Sequence, residues 1–363
     1  MSVSTELGTA DADLAAVEAF GERCIGLLNG GSIAVLMSIG HQTGLFDTLA
    51  TLPAATSAEI ARTAGLNERY VREWLGGMAS AGVLAYEPTD RTFALPATHS
   101  ALLTTAAGPD NLARIMQYVS MMGEMEQRIV DCFRNGGGLS YTDYPRFHAI
   151  MAEESAGVND AALIDTILPL IPDLPARLQA GIRVADIGCG SGHAVNLMAK
   201  AYPASTFTGY DFSEEAITAA RAEAAKLGLD NARFVLQDVA RLDETDAFDA
   251  ITVFDAIHDQ ADPAGVLRAM FTALRSGGSL LMVDIKASSN VEDNIGLPWA
   301  SFLYALSTVH CMSVSLGLDG AGLGTVWGTQ LAQAMLGEAG FSEVEEKAID
   351  SDPFNAYFTA SKG

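Results

Sequence analysis

Positively charged residues are scarce in this 363-residue sequence. It carries 21 Lys and Arg against 45 Asp and Glu, a formal net charge of −24. Proteins that bind nucleic acid draw much of their affinity from clustered Lys and Arg. The charge balance therefore argues against a nucleic-acid partner and is compatible with a cationic ligand, although general solubility is the plainer explanation of so much negative charge.

Cysteine pairs, apolar spans and a recognisable signal segment are lacking as well. The four cysteines, Cys24, Cys132, Cys189 and Cys311, form no CxxC pair and no spacing typical of a metal site. The opening MSVSTELGTADADLAAVEAF is polar and acidic, and apolar runs elsewhere are interrupted before the roughly 18 residues of a membrane helix. We expect a cytoplasmic protein with no bound metal and no membrane partner.

The first 140 residues have a mostly helical pattern. Residues 12–50 are typical of two helices, the second of which, SIAVLMSIGHQTGLFDTLA, is apolar on most sides and requires a partner. The pattern of two short helices and a hairpin follows: a helix capped by Ser57, a turn at Gly65, a helix over Leu66–Ala81, and strand-like runs at Val83–Tyr86 and Thr92–Leu95. This order predicts a winged helix.

A winged helix raises the alternative of DNA binding. Its second helix, NERYVREWLGGM, carries Arg69 and Arg72 but also Glu68 and Glu73, and the hairpin behind it is not basic. A DNA reader shows more positive charge in both places. We expect homodimer packing instead, with the apolar helix of Ser32–Leu49 exchanged or stacked between subunits.

Strands and helices alternate after the glycine-rich linker Asn135–Phe147. The strand-like runs are Arg183–Ile187, Thr206–Asp211, Arg233–Gln237, Ala250–Phe254 and Ser279–Asp284, followed by Glu343–Ala348 and Ala356–Ala360. Such alternation predicts an α/β, Rossmann-like sheet with helices on both faces, and the last two runs should form a hairpin. We place a winged-helix domain at residues 1–140 and an α/β domain at residues 141–363, with an insertion at about 286–324.

The first of these strands runs into three glycines within five residues, in VADIGCGSGH. The next strand ends on Asp211, an acid placed to accept hydrogen bonds from a ribose diol. Both dinucleotides and adenosyl sulfonium compounds carry that diol, but a dinucleotide fingerprint requires a third small residue where His193 stands. The spacing therefore favours S-adenosylmethionine, which has no phosphate.

Further side chains suit the same ligand. Asp186 can meet its ammonium group, Asp238 and the backbone of Val239 can meet the adenine edge, and Phe212 can lie against the adenine ring. The predicted cofactor site comprises Asp186, Gly188, Cys189, Gly190, Gly192, Asp211, Phe212, Gln237, Asp238, Val239 and Phe254.

These segments together resemble the class I S-adenosylmethionine-dependent methyltransferases. The resemblance rests on VADIGCGSG, GYDFS, FVLQDVA, FDAITVFDAIHD and LRSGGSLLMVDI, and GLFDTLATLPAATSAEIARTAGLNERYVREWLGGMASAGVL is similar to the winged-helix dimerisation domain of small-molecule O-methyltransferases. YPRFHAIMAEES, AIHDQADP and DIKASS resemble an actinobacterial group of these enzymes. The resemblance implies methyl transfer from S-adenosylmethionine, with S-adenosylhomocysteine as product, to a small-molecule acceptor. Oxygen is the favoured nucleophile, while sulfur, nitrogen and carbon stay open.

His258 is the candidate general base. It follows the fourth strand at the carboxyl edge, where such sheets bind ligands, and its ordinary pKa near 6.5 suits the task. The segment resembles the HDW-containing stretch of O-methyltransferases, where that histidine is the base, although Gln260 stands in place of the tryptophan. Asp284 occupies the place of an acid that orients the histidine, and a second such acid is not recognisable. A helix-capping or ligand-positioning role for His258 stays open.

Two segments supply candidates for the acceptor pocket. The insertion contributes Tyr304, His310, Met312 and Trp327, and the linker contributes Tyr144, Phe147 and His148. The alternative for the insertion is a local cap that buries apolar side chains without touching substrate. The alternative for His148 is a histidine that only packs against its neighbours. His193 is expected to face solvent. The competing function is a winged-helix transcription regulator that binds S-adenosylmethionine or another effector without turnover.

Overall fold

The computed structural model describes residues 3–363, with side chains from residue 13 onwards. The chain divides into two compact units, one ending at Ser120 and the other running from Met121 to Gly363. This division reflects packing, and the domain boundary at residues 140/141 stays a prediction.

The first unit is helical apart from one hairpin. Its elements are α1 (Val3–Gln42), α2 (Leu45–Thr51), α3 (Ser57–Ala64), α4 (Glu68–Ser80), β1 (Ala85–Glu87), β2 (Thr92–Ala94), α5 (Ala97–Leu103) and α6 (Leu112–Ile115). β1 and β2 pair antiparallel, with Tyr86 opposite Phe93. Helix, turn, helix and hairpin form the predicted winged helix.

Two local predictions in this unit were wrong. The cap of α3 is Thr56, whose hydroxyl accepts from the backbone of Glu59 while the Glu59 carboxylate accepts from the backbone of Thr56. The apolar stretch 32–49 is not one helix, because Gly44 adopts φ +67° and separates α1 from α2.

The surface of α4 does not suit DNA. Arg69 lies 2.5 Å from Glu73, and Arg72 lies 3.5 Å from Glu68, so acids on the same helix pair with both arginines. The opposite face of α4 is buried, and Trp74 donates its indole N–H to the carbonyl of Leu36. Paired arginines leave little free positive charge for phosphates.

Helix α1 exposes a long apolar surface. Six large side chains between residues 14 and 28 are each at least 61% exposed: Leu14, Val17, Phe20, Ile25, Leu27 and Leu28. Leu45, Phe46 and Leu49, by contrast, are buried within the unit. The most exposed apolar part of α1 therefore lies before the predicted segment Ser32–Leu49, within which Val35 and Ile39 are also exposed.

Two helical stretches pass a length and composition test for a membrane span, Asp13–Gln42 and Ala300–Gly317. The argument that glycine and charge interrupt every apolar run was thus too strict. Buried helices of other proteins pass the same test, so the absence of a membrane partner stays a prediction.

The second unit alternates helices and strands after α7 (Gln117–Asn135), which crosses the boundary between the units. Its elements are α8 (Phe147–Ala162), α9 (Leu174–Ala180), β3 (Arg183–Ile187), α10 (His193–Ala201), β4 (Thr206–Asp211), α11 (Glu214–Leu227), β5 (Ala232–Leu236), β6 (Phe248–Phe254), α12 (Pro263–Ala273), β7 (Leu274–Ile285), α13 (Val291–Asn294), α14 (Ala300–Leu306), α15 (Met312–Gly317), α16 (Thr329–Ala339), β8 (Ser342–Ile349) and β9 (Asp352–Ser361).

The seven strands of this unit form one sheet in the order β5-β4-β3-β6-β7-β9-β8. The first five are parallel, β9 runs antiparallel to β7, and β8 pairs antiparallel with β9. The α/β fold and the terminal hairpin are therefore confirmed. The strand order reverses between β3 and β6, where open α/β sheets bind ligands beyond the carboxyl ends of their strands.

The insertion between β7 and α16 is helical and packs against the linker that precedes α8. The backbone N–H of Leu139 donates to the carbonyl of Ser313, and an added Cβ at Gly138 would overlap that carbonyl. A π-helical turn, Ser307–Cys311, joins α14 to α15. Linker and insertion thus meet within the second unit.

Candidate functional site

The glycine loop joins β3 to α10, and its glycines differ in their surroundings. All three have positive φ, which a glycine adopts without strain. A Cβ at Gly188 would lie 2.5 Å from Cβ of Ala256, and one at Gly192 would lie 2.5 Å from Cβ of Ala220. At Gly190 no atom of the described chain stands within 4 Å of that position. Gly188 and Gly192 therefore allow the loop to pack closely against Ala256 and Ala220. The backbone at Gly190 is left accessible to a ligand.

Asp211 holds this loop in place. One of its carboxylate oxygens accepts from the backbone N–H of Gly190 at 2.9 Å, and the other accepts from the N–H of Ser213 at 2.8 Å. Each oxygen keeps a lone pair that can accept from a hydroxyl. Burial raises the pKa of Asp211, although these backbone bonds favour its charged form.

Asp186 is the last but one residue of β3, two positions before Gly188, and is buried. Its carboxylate accepts from the hydroxyl of Thr252 at 2.6 Å. Burial raises the pKa of Asp186 to about 7. The negative charge of Asp211 also raises this pKa, while the hydrogen bond from Thr252 lowers it. A nearby cation would favour the ionised form of both acids, so the pair suits a positively charged ligand.

The predicted adenine contacts lie after β4 and β5. The side chain of Asp238 accepts from the N–H of Ala240, Val239 is buried, and Gln237 donates its side-chain amide to the carbonyl of Arg241. Phe212 is exposed and Phe254 is half-buried.

Cys189 differs from its neighbours. Its N–H donates to the carbonyl of Tyr210, its own carbonyl accepts from Gly192, and its side chain packs against the core. These bonds give Cys189 a part in shaping the loop, while its predicted contact with a cofactor stays untested.

The buried pair of His258 and Asp284 is the centre of the site. Nδ1 of His258 lies 2.8 Å from Oδ1 of Asp284, which also accepts from the indole N–H of Trp327 at 3.1 Å and from the N–H of Ile285. Three donors to one oxygen hold this carboxylate in a fixed orientation. The pairing fixes the orientation of the imidazole ring.

A second acid stands beside His258. Oδ1 of Asp255 lies 3.6 Å from Nδ1 of His258, and Asp255 adopts a left-handed φ of +54°, which costs a non-glycine residue roughly 1 kcal/mol. Strained backbone of this kind concentrates at functional sites. No sequence motif marks Asp255 as an acid that orients the histidine, so sequence reasoning did not assign it that role. The cap of α12 is Asp262, which accepts from Gly265, so His258 has no capping role.

The environment of His258 strengthens it as a base. Burial opposes its charge, but the neighbouring Asp284 outweighs this and raises the pKa of His258 well above its ordinary value. Burial raises the pKa of Asp255 to about 7 and that of Asp259 to about 6, each opposed by the charge of His258.

Asp255, His258 and Asp284 also offer ligand atoms within 4.8 Å of one another, as a metal site would. The Nδ1 of His258 already donates a proton to Asp284, and a metal would need the lone pair at that nitrogen. The hydrogen bond accounts for the short separations, and the absence of a metal stays a prediction.

Four predicted pocket residues meet in one aromatic cluster, comprising Tyr141, Tyr144, Phe147, His148 and His310. Phe147 and His310 stack with centroids 3.5 Å apart, while Tyr141 and Tyr144 meet His310 edge-on. His148 stacks on Tyr141, whose hydroxyl donates to Asp259 beside His258. The cluster is therefore bonded to Asp259, the residue that follows the candidate base in the chain.

The other three pocket candidates lie apart from this cluster. Trp327 is buried in the core, where its indole N–H donates a hydrogen bond to Asp284, the partner of His258. The hydroxyl of Tyr304 accepts from Asn294, and Met312 lies against Gly324. The prediction that His193 faces solvent was wrong. Its two nitrogens bond to Glu223 at 2.7 Å and Asp160 at 2.9 Å, and these bonds raise its pKa against the opposing effect of burial.

Comparison with known proteins agrees with this geometry. Residues 31–105 match the family described as the Rv2258c-like winged HTH domain, and residues 178–311 match a methyltransferase domain family. The 27-O-demethylrifamycin SV methyltransferase of Amycolatopsis mediterranei (strain S699) is 33% identical over 141 residues, which are 38% of this chain and 50% of that protein. The chain thus spans about half the length of the curated relatives it matches.

Solved structures match nearly the whole chain at low identity. The protein NPUN_R0239 of Nostoc punctiforme PCC 73102 has a TM-score of 0.71 at 17% identity, covering 93% of this chain and 98% of that one. Human N-acetylserotonin methyltransferase in complex with SAM has a TM-score of 0.68 at 18% identity, covering 94% and 98%. The chain therefore has the class I methyltransferase fold behind an N-terminal winged helix. Its two parts are an Rv2258c-like winged-helix domain and a methyltransferase domain.

Proposed function

We propose that this protein transfers a methyl group from S-adenosylmethionine to a small-molecule acceptor, most simply to a hydroxyl oxygen. The observation that carries the proposal is the fixed His258–Asp284 pair directly beside the glycine loop. The two are adjacent because Gly188 packs on Ala256, two residues before His258.

The residues at the loop suit this cofactor. Asp211 has acceptor capacity for a ribose diol, and a cation would stabilise the ionised forms of the buried Asp186 and the half-buried Asp211. Gly190 leaves the backbone open to a ligand. When bound, S-adenosylmethionine supplies an activated methyl group and its own leaving group. The remaining predicted contacts, Gln237, Asp238, Val239, Phe212 and Phe254, are proposed for the adenosine part.

The protein's part in the reaction is to align the acceptor, exclude water and remove a proton. As the acceptor oxygen attacks the methyl carbon, its proton passes to Nε2 of His258, and Asp284 stabilises the imidazolium through Nδ1. Alignment accounts for roughly 7–11 kcal/mol where geometry is good, and a general base adds roughly a hundredfold to ten-thousandfold in rate.

Two measurements test this proposal. Calorimetry should show binding of S-adenosylhomocysteine and none of NADH. Methyl transfer from labelled S-adenosylmethionine to a panel of small hydroxylated acceptors should then fall roughly a hundredfold or more in His258→Ala, which keeps its affinity for S-adenosylhomocysteine. Binding of NADH without S-adenosylhomocysteine would overturn the cofactor, and undiminished turnover in His258→Ala would overturn the base.

A transcription regulator is the competing function, and the charge of the winged helix disfavours it. A DNA shift assay at moderate salt separates the two, since the paired arginines of α4 predict no shift. We propose instead a cytoplasmic homodimer in which the exposed apolar surface of α1, residues 14–28, packs against a second copy.

A further inference from the structure

Tyr141 connects the linker to the two segments that carry the candidate site. Its hydroxyl donates to the carboxylate of Asp259, the residue after His258. Its ring meets the ring of Phe212, the residue after Asp211, edge-on with centroids 5.2 Å apart. One side chain therefore bridges the segment that follows β4 and the segment that follows β6.

The short turn that carries Tyr141 is held on the linker side. Asp143 accepts from the backbone N–H of Ser140 at 2.9 Å and pairs with Arg128 of α7 at 2.8 Å. The imidazole of His148 stacks on the ring of Tyr141, with centroids 5.8 Å apart and an angle of 14° between the planes. These contacts restrict the orientation in which the linker presents Tyr141.

The bond between Tyr141 and Asp259 has an ionised acceptor near neutral pH. Burial raises the pKa of Asp259 to about 6, while the charge of His258 and the bond from Tyr141 lower it. Hydrogen bonds to ionised acceptors are roughly twice as strong as bonds between neutral groups. The side chain of Tyr141 can turn away from the site only after this bond breaks.

The bridge leaves the proposed cofactor contacts available. Phe212 keeps 45% of its surface exposed beside Tyr141. An added Cβ at Gly190 would meet no atom of the described residues within 4 Å. A ligand that uses these two surfaces can therefore bind while the bond between Tyr141 and Asp259 is intact.

We infer that Tyr141 is the gate of the cofactor site, a side chain that retains the bound S-adenosyl compound while it is bonded to Asp259 and turns away to release it. This role rests on the proposed function, because it takes Gly190 and Asp211 as cofactor contacts. It is separate from the removal of a proton by His258, since Tyr141 acts on how long the cofactor stays bound.

The rate at which S-adenosylhomocysteine leaves the protein tests this role. Tyr141→Phe keeps the ring beside Phe212 and His148 but removes the bond to Asp259. The dissociation rate constant, measured by displacing labelled S-adenosylhomocysteine with an excess of unlabelled ligand, should rise about tenfold or more. The association rate constant should not decrease. An unchanged dissociation rate constant would overturn the gating role.

Tyr144→Phe is the matched control. Tyr144 lies in the same linker, but its hydroxyl donates to the carbonyl of Val309 in the insertion. The variant loses one hydrogen bond and should lower Tm, yet its dissociation rate constant should stay close to that of the wild type. If Tyr144→Phe and Tyr141→Phe release the ligand equally fast, the linker has loosened as a whole, and the specific role of Tyr141 is wrong.

Asp259→Asn tests the other end of the bond. The amide oxygen still accepts from the hydroxyl of Tyr141 but carries no negative charge, so the dissociation rate constant should rise by less than in Tyr141→Phe. Combining both changes should add little to the effect of Tyr141→Phe, because both act on one bond. Fully additive effects would show that the two residues act separately and would contradict the gate.

Failure of the gate is distinguishable from failure of the proposed function. A protein that binds no S-adenosylhomocysteine in calorimetry refutes the proposed cofactor, and the gate with it. Binding with equal dissociation rate constants in the wild type and Tyr141→Phe refutes only the gate. If thermal unfolding shows that Tyr141→Phe does not fold, Asp259→Asn decides alone, and an unchanged dissociation rate constant in that variant would count against the gate.

Discussion

The imidazole of His258 and the carboxylate of Asp284 form a buried hydrogen bond, with Nδ1 and Oδ1 2.8 Å apart. Asp284 lies on β7 and His258 follows β6, and these neighbouring strands pair in parallel. The sheet thus fixes the pair, and Trp327 and Ile285 hold the acid from other directions. We therefore expect the protonation of His258 to depend on the carboxylate of Asp284.

Asp284→Asn should shift the pH dependence of methylation. The raised pKa of His258 keeps the ring protonated below that value, so the wild-type rate should rise with pH above the ordinary histidine range. Removing the carboxylate lowers that pKa, so the rising limb should move to lower pH while the maximal rate falls roughly a hundredfold. Turnover measured between about pH 6 and 9 checks this. An unmoved limb would assign the titration to another group.

S-Adenosylmethionine should stabilise the protein more strongly at high pH than at low pH. The pKa of Asp186 is raised to about 7 in the folded protein by burial, so between about pH 4 and 7 the folded state binds more protons than the unfolded state. The ligand-free protein therefore loses stability as pH rises through this window. A cationic ligand offsets that loss because it favours the ionised acid.

Calorimetric Tm values with and without the ligand, at about pH 5.5 and 8, test this linkage. Asp186→Asn should raise the ligand-free Tm at the higher pH and reduce the shift that the ligand produces. Asp255 and Asp259 also have raised pKa values and contribute in the same direction, so the asparagine variant isolates the part due to Asp186. A ligand shift that does not depend on pH would argue against a cation bound beside these acids.

Two glycines of the loop should respond differently to alanine. Gly192→Ala places a methyl group 2.5 Å from both Ala220 and the ring of Phe234 at a φ of +73°, so we expect a loss of roughly 2–4 kcal/mol in the free energy of unfolding. Gly190→Ala meets open space and should cost about 1 kcal/mol from its φ of +52°. Its main effect should be weaker binding of S-adenosylhomocysteine in calorimetry. Unchanged affinity in Gly190→Ala would place the ligand elsewhere.

A metal chelator should leave turnover unchanged. The separations within Asp255, His258 and Asp284 are explained by a hydrogen bond and an ion pair. Turnover measured before and after dialysis against EDTA, with magnesium and zinc added back separately, checks this expectation. Activity lost on chelation and recovered with one metal would show that these three side chains form a metal centre.

Charges on α1 should separate the proposed dimer. Phe20→Glu combined with Leu27→Glu places two carboxylates in the exposed apolar surface. Light scattering should then report a mass near 38.1 kDa in place of twice that value. Tyr70→Glu, at an exposed aromatic residue on α4, is the matched control and should not change the mass. A wild-type protein that is already monomeric would remove the basis of the proposal.

Much of the fold was predictable because its signals are local. Alternating apolar runs place the strands, and the three glycines before a helix place the loop within a residue or two. The continuity of α1 was not predictable, because Gly30 and Gly31 are weak helix formers. They nevertheless lie inside one helix that ends at Gln42.

The site was less accessible to sequence reasoning, because its contacts join distant segments. His258 follows β6 and Asp284 lies near the end of β7, the parallel neighbour of β6, and their approach follows from that topology. The bond between Trp327 and Asp284 spans 43 positions, and that between Tyr141 and Asp259 spans 118. No periodicity predicts such contacts. The left-handed backbone of Asp255 likewise follows from tertiary packing, because even aspartate, which adopts this region more often than most non-glycine residues, does so at only a minority of positions.

The insertion between β7 and α16 separates the candidate acceptor residues from the strands that position His258 and Asp284. His258 follows β6 and Asp284 lies on β7, whereas His310 belongs to a helical insertion that lies outside the paired strands. Changes confined to that insertion could redirect the enzyme to new molecules while the reaction itself stays the same. Libraries for altered selectivity should therefore be built there first, with the strand ends left untouched.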